Sequence, residues 1–96
     1  MMRSQKQIDP AAVALRYRKN QENAPIVTAK GKNKNAEKII QLAQNNSIPI
    51  INNPELLHLL MSLELDRPIP PEAFEAVAAI YTFLIEMDQK YEKVLL

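Results

Sequence analysis

Two spacings of hydrophobic residues divide the chain into predicted strands and helices. Val13, Leu15 and Tyr17 alternate with small or polar residues, a period of two that predicts a strand with one buried face. A β-branched run at 25–29 predicts a second strand. The stretch between them is polar, so we expect it to be a solvent loop that joins the two strands in antiparallel fashion.

Three segments carry apolar residues at helical spacing. The first covers 34–46, the second starts at the capping pair Asn53-Pro54, and the third runs from Pro71 to Tyr91. The apolar positions of the three helices are Ala36, Ile39, Ile40 and Ala43; Leu56, Leu57, Leu60, Met61 and Leu63; and Phe74, Val77, Ala78, Tyr81, Leu84 and Ile85.

The apolar run at 48–51 predicts a further short strand, with Pro49 at its start. A strand, a helix and a strand in succession predict a βαβ unit with parallel strands and a right-handed crossover. The predicted fold is therefore α/β, a small mixed sheet of three to four strands with a βαβ unit, packed by three helices. The domain is expected to cover 9–92, after a flexible arm at 1–8.

Composition excludes several classes of site. The chain has 96 residues, 47% of them hydrophobic and 24% charged, which is typical of one small globular domain. It has no cysteine and a single histidine, His58, so a disulfide, a thiolate nucleophile and a zinc site of the usual kind are not expected. We find neither a signal peptide nor a run approaching the roughly 20 apolar residues of a membrane helix, and we expect a cytoplasmic protein.

Charge is distributed unevenly. Residues 1–38 hold nine Lys and Arg against three Asp and Glu, whereas residues 39–96 hold three against eight. The densest basic cluster surrounds the single glycine, Gly31, which we expect to supply a positive φ or to permit a sharp turn. The cluster consists of Lys30, Lys32, Lys34 and Lys38. It is interpreted as solvated loop lysines or, alternatively, as a surface for nucleic acid or anionic lipid, although it lacks the interleaved aromatic residues of single-strand binders.

The sequence contains no recognisable catalytic motif. There is no glycine-rich phosphate loop, and none of the serines lies in a nucleophile turn. We interpret His58 as a hydrogen-bonded surface or half-buried residue, and the carboxylates of the last helix as a solvated face. Those carboxylates belong to Glu72, Glu75, Glu86, Asp88 and Glu92. A binding or scaffold module without catalytic residues, cofactor or metal is the resulting prediction.

Five short motifs follow one another in a distinctive order. They are VALRY at 13–17, an AP-initiated strand ending in AKG at 24–31, IPII at 48–51, an Ile-Pro turn at 69–70 and FEAVAAI at 74–80. This order resembles the cytoplasmic domain of the FlhB/YscU family of flagellar and type III secretion export proteins. The resemblance covers about 8–87 and implies a component of flagellar protein export, which we expect to be a monomer. Its expected partners are export-apparatus proteins, early substrates of the rod and hook type, and the membrane-embedded export gate; nucleic acid is not expected.

The family's Asn-Pro-Thr-His self-cleavage motif corresponds here to Asp9, Pro10, Ala11 and Ala12. In the family the asparagine amide attacks its own main-chain carbonyl. An ionised carboxylate is a poor nucleophile, and the hydroxyl and imidazole are also missing. The resemblance thus implies a domain that does not cleave itself. The family's preceding transmembrane domain has no counterpart here, so we expect a free-standing homologue, with a fragment of a longer protein as the alternative.

The family also has a small apolar patch on which export substrates dock. The corresponding positions here are Ala24 and Pro25, at the head of the second strand, and Ala78 and Tyr81, on the last helix. Tyr81 is larger and more polar than the aliphatic residue expected there. A second interpretation remains open, in which Ala78 and Tyr81 pack the last helix onto the sheet.

Overall fold

A computed structural model describes residues 10–18, 20–87 and 92–96. The strands form one antiparallel sheet in the order β2-β1-β3. The predicted α/β class, with three helices around a small sheet, is confirmed. The elements are strand β1 (Ala11–Arg16), strand β2 (Ile26–Lys32), helix α1 (Lys34–Asn45), helix α2 (Pro54–Met61), helix α3 (Pro71–Glu86) and strand β3 (Lys93–Leu95).

The central strand β1 is buried on both faces rather than on one. Val13 and Leu15 are fully buried on the face that packs against α2 and α3. Ala12 is fully buried on the other face, against Ala36 and Ala43 of α1. The small side chain of Ala12 lets α1 approach the sheet, which is why a residue that looked like a spacer in the sequence belongs to the core.

The segment 48–51 is extended but does not form the predicted strand. Its ladder contact is a single parallel bridge between Ile50 and Leu95, in which Ile51 N donates to the Leu95 carbonyl at 2.8 Å and Leu95 N donates to the Pro49 carbonyl at 2.9 Å. The crossover from β2 through α1 keeps the parallel direction of a βαβ unit. However, β1 and β3 lie between its two extended segments.

The third strand comes instead from the end of the chain. Helix α3 ends at Glu86, before the predicted end at Tyr91, and 88–91 lie outside the described residues. The buried residues Val94, Leu95 and Leu96 then pair with β1 beyond the predicted domain limit at 92. Their apolar side chains complete both layers of the core. The predicted arm at 1–8 and Asp9 also lie outside the described residues.

A local capping signal places the start of α2 as predicted. Asn53 caps α2 by accepting a hydrogen bond from Leu56 N at 3.1 Å. After α2, the connection runs along the outer edge of β2. There Asp66 N donates to the Val27 carbonyl at 2.7 Å, and Ile69 N donates to the Pro25 carbonyl at 2.9 Å. The connection therefore covers a strand edge and fixes the backbone at the head of β2.

Gly31 is required by close packing and not by a positive φ. It lies within β2, and a Cβ at this position would be 2.9 Å from the Cβ of Asn35 in α1. The described residues with a positive φ are instead Asn33, at 55°, Ser47, at 56°, and Asp66, at 62°. Ser47 ends α1 in a turn whose following residue, Ile48, donates its N–H back to the helix at 2.9 Å.

Candidate functional site

In the part of the chain that the structure describes, one apolar face of helix α3 is covered by other elements and a second is not. Val77 and Leu84 are buried in the domain. Phe74 and Ile85 remain 46% and 68% exposed, and Ala78 between them is also exposed. The predicted stripe of this helix therefore spans two faces, and the sheet and α2 cover only one of them.

A groove of about 220 Å³ follows the uncovered face of α3. We call it the α3 groove. Its lining residues are Tyr17, Asn23 and Pro25 from the β1–β2 side, and Phe74, Ala78, Tyr81, Thr82 and Ile85 from α3. Three of the four positions predicted for the docking patch thus lie together in the groove. The fourth, Ala24, is half-buried beside it and does not line it.

Tyr81 joins α3 to the strands and also faces the groove. Its ring packs edge-on against Tyr17, with 5.8 Å between ring centroids and an interplanar angle of 63°. Its hydroxyl donates to the backbone carbonyl of Glu92 at 2.9 Å. Burial, together with the nearby charges of Glu22 and Glu92, raises the pKa of Tyr81, so the hydroxyl remains protonated and available as a donor. Tyr81 therefore packs α3 against the strands, as the second interpretation of the patch holds, whereas Ala78 is exposed.

Glu22 organises the loop that brings Asn23 and Pro25 to the groove. Its side chain is only 6% exposed and accepts hydrogen bonds from Arg16 Nη2 at 2.6 Å and from the backbone N of Arg18 at 2.7 Å. Hydrogen bonding from Arg16 holds the pKa of Glu22 below its ordinary value. Sequence reasoning treated this loop as solvated, because it has no apolar residue. The signal it missed was one carboxylate close to two arginines.

The predicted basic cluster is divided by the fold. The ammonium of Lys30 donates to the backbone carbonyl of Met61 at 3.0 Å and to that of Leu63. It thus satisfies carbonyls at the C-terminal end of α2, where a helix dipole favours a cation. The other three lysines, Lys32, Lys34 and Lys38, are exposed.

The remaining candidate chemistry is dispersed. Pro10 is exposed, Ala11 pairs with Lys32 in the ladder, and Ala12 is buried under α1. His58 is exposed on α2, not half-buried. Across 10–18, 20–87 and 92–96, no three acidic or histidine side chains gather as metal ligands. None of the helices described is long and apolar enough to cross a membrane.

Comparison with known proteins gives a consistent result. A model of the FlhB HrpN YscU SpaS family matches residues 10–84. The flagellar biosynthetic protein FlhB of Aquifex aeolicus is 39% identical over 80 residues, which are 82% of this chain and 23% of that protein. "Uncharacterized protein YlqH" of Bacillus subtilis is 37% identical over 78 residues, 81% of this chain and 84% of that one.

Solved structures agree with these sequence matches. The crystal structure of the PscU C-terminal domain covers 78% of this chain and 96% of that domain, with a TM-score of 0.73 and 28% identity. The chain thus spans about a quarter of the flagellar relative's length but nearly all of the PscU domain.

Proposed function

The chain belongs to the FlhB HrpN YscU SpaS family, and on that premise we propose that it is a component of flagellar type III protein export that binds other proteins through the α3 groove. Relatives named for flagellar biosynthesis and for hypersensitivity response secretion support a role in export. The expected partners are early export substrates or proteins of the export gate, met at the cytoplasmic face of the membrane.

The uncovered apolar face of α3 is the observation that carries this proposal. Phe74 and Ile85 are large, apolar and substantially exposed, and they flank Ala78 along one groove. An apolar surface of this kind is typical of a site for a protein partner. The polar groups of Asn23 and Thr82 lie in the same groove, where they would orient a bound segment by hydrogen bonding.

Capture of partners from native cell extract tests the proposal. The full chain is immobilised, and bound export-gate, rod and hook proteins are quantified for the wild type and for Ala78→Asp. We expect the variant to lose about tenfold or more of the captured protein, because a carboxylate would be desolvated in an apolar interface. Circular dichroism should be unchanged, since Ala78 is exposed.

Ala76→Asp is the matched control. Ala76 is exposed on the same helix but does not line the α3 groove. The substitution Ala76→Asp introduces the same charge two residues from Ala78 on α3, and it should leave the captured amount of partner protein unchanged. Equal capture by the wild type and Ala78→Asp, or equal loss in both variants, contradicts a role of the groove in binding.

We also propose that the chain does not cleave itself at neutral pH. The residue before Pro10 is an aspartate, and Ala11 and Ala12 supply neither hydroxyl nor imidazole. After prolonged incubation, mass spectrometry should find the intact chain. A fragment that begins at Pro10 and forms at neutral pH refutes this proposal; slow acid cleavage of the Asp9-Pro10 bond does not bear on it.

A module that binds nucleic acid or anionic lipid is not favoured. The comparisons point to export proteins, and Lys30, the first lysine of the basic cluster, donates to backbone carbonyls at the end of α2. At physiological salt we expect little binding to DNA or to anionic vesicles, whereas tight binding with a steep salt dependence would favour this alternative.

A further inference from the structure

The two faces of the sheet are covered unequally. Helices α2 and α3 pack on the face that carries Val13 and Leu15, whereas α1 is the one described helix that packs on the face that carries Ala12, next to Ile48. A three-stranded sheet is about 14 Å wide, and packed helices are spaced about 8–10 Å apart. Within 10–18, 20–87 and 92–96, one helix therefore leaves part of this face of the sheet without a covering layer.

The uncovered part is an apolar groove of about 310 Å³ beside α1. We call it the α1 groove. Ile39 and Leu42 line it from α1, and Ala14 and Ala29 line it from the two adjacent strands β1 and β2. Leu42 is 63% exposed, so a large apolar side chain faces this groove without being covered. The small side chains of the two alanines leave space for a partner to approach the strands closely.

The charged residues that line the α1 groove are basic. Its charged lining residues are Arg16 and Lys93, and no acidic residue is among those that line it in the described part of the chain. Arg16 is engaged by Glu22, but Lys93 is exposed at the edge of the sheet. Lys38 is also exposed and lies one helical turn before Leu42 on α1. A partner that carries negative charge beside apolar residues is complementary to this rim.

We propose that the α1 groove docks an acidic amphipathic helix from a protein partner. The helix would lie beside α1 as the second helix of this layer, so that both faces of the sheet are covered by a helical pair. Its apolar side chains would face Leu42 and Ala14, and its carboxylates would face Lys38 and Lys93. This surface lies on the opposite side of the sheet from α3, so the inference is independent of the proposed function.

Titration with a designed peptide pair tests the inference. One peptide of about 15 residues carries leucines at helical spacing with glutamates on the flanks, and its twin carries lysine in place of every glutamate. Binding to the full chain is followed by two-dimensional amide NMR at low salt. We expect the glutamate peptide to shift the amides of Ala14, Leu42 and Lys93, and to bind about tenfold or more tightly than its twin.

Variants of the chain separate the contributions of apolar contact and charge. Leu42→Lys should weaken binding of the glutamate peptide about tenfold. It should leave the fold intact, because Leu42 is largely exposed. Lys93→Glu should reduce the difference between the two peptides to about threefold or less. Ala78→Asp, in the α3 groove, should change neither affinity, and Leu42→Lys should not reduce capture of export proteins.

Four results would overturn the inference. They are the absence of binding at about 1 mM peptide, amide shifts that map to the α3 groove, equal affinity for the two peptides, and unchanged affinity in Leu42→Lys. Sedimentation of the chain alone gives one more result that could contradict the inference. A concentration-dependent dimer that Leu42→Lys abolishes would identify a second copy of the chain as the occupant and exclude the proposed partner.

Discussion

Replacing Gly31 by Ala tests how closely β2 approaches α1. The new Cβ would lie 2.9 Å from Asn35 Cβ, and 3.1 Å from both the backbone carbonyl carbon of Asn35 and Cδ1 of Ile39. Asn35 Cβ cannot rotate away, because it is bonded to the helix backbone, so α1 must shift. Overpacking of this kind costs about 1–3 kcal/mol, and the reduced freedom of the unfolded chain offsets about 0.4–1 kcal/mol. The midpoints of the two ranges give an expected net loss in free energy of unfolding of about 1.3 kcal/mol, which lowers Tm by roughly 5–10 °C.

Urea unfolding followed by circular dichroism measures this loss. Ala29→Gly is the control for the intrinsic difference between alanine and glycine on this strand. Ala29 lies two residues earlier on β2, where the fold already accommodates a Cβ. Gly31→Asn distinguishes the two explanations for the glycine. Asparagine tolerates a positive φ but is bulkier than alanine, so close packing predicts a larger loss for Asn than for Ala. An unchanged or increased free energy of unfolding in Gly31→Ala refutes the close approach.

Three further predictions concern polar and backbone contacts. Lys30→Met should lower the free energy of unfolding by about 1.5–3 kcal/mol, because two carbonyls at the end of α2 lose a charged donor. The control Lys32→Met, at an exposed position of the same strand, should change the free energy of unfolding little in the same thermal denaturation measurement. Because the fold holds the pKa of Glu22 below its ordinary value of 4.5, its stabilisation is present above that pH and is lost as pH falls through the lower folded value. The urea midpoint should therefore fall less on acidification in Glu22→Gln, and an identical pH profile would count against this. Ser47→Gly should raise the free energy of unfolding by about 0.5–1 kcal/mol by relieving the left-handed φ, as Tm measurements will show.

Interactions between near neighbours along the chain made much of the fold predictable. The alternation around Val13 and Leu15 identified β1, and the capping pair Asn53-Pro54 identified the start of α2. These signals come from caps and side-chain periodicity, which depend on residues only a few positions apart. They can therefore be read from the sequence without knowledge of the tertiary structure. The motifs also indicated the family, and they pointed to Pro25, Ala78 and Tyr81, which the structure brings to one groove.

Contacts between distant segments decided the rest. A three-residue strand such as β3 is too short to show a periodicity of apolar residues. Its place beside β1 depends on the apolar surface that the other elements leave for its side chains to cover. The ammonium of Lys30 reaches a helix end more than 30 residues away in sequence, and the neighbouring residues of Lys30 give no indication of that contact. Most importantly, the spacing of apolar residues on α3 was the same for covered Val77 and exposed Phe74. The hydrophobic effect is non-directional and favours the burial of either apolar face of α3. Only the packing of the other elements determined which face entered the core and which was left open to a partner.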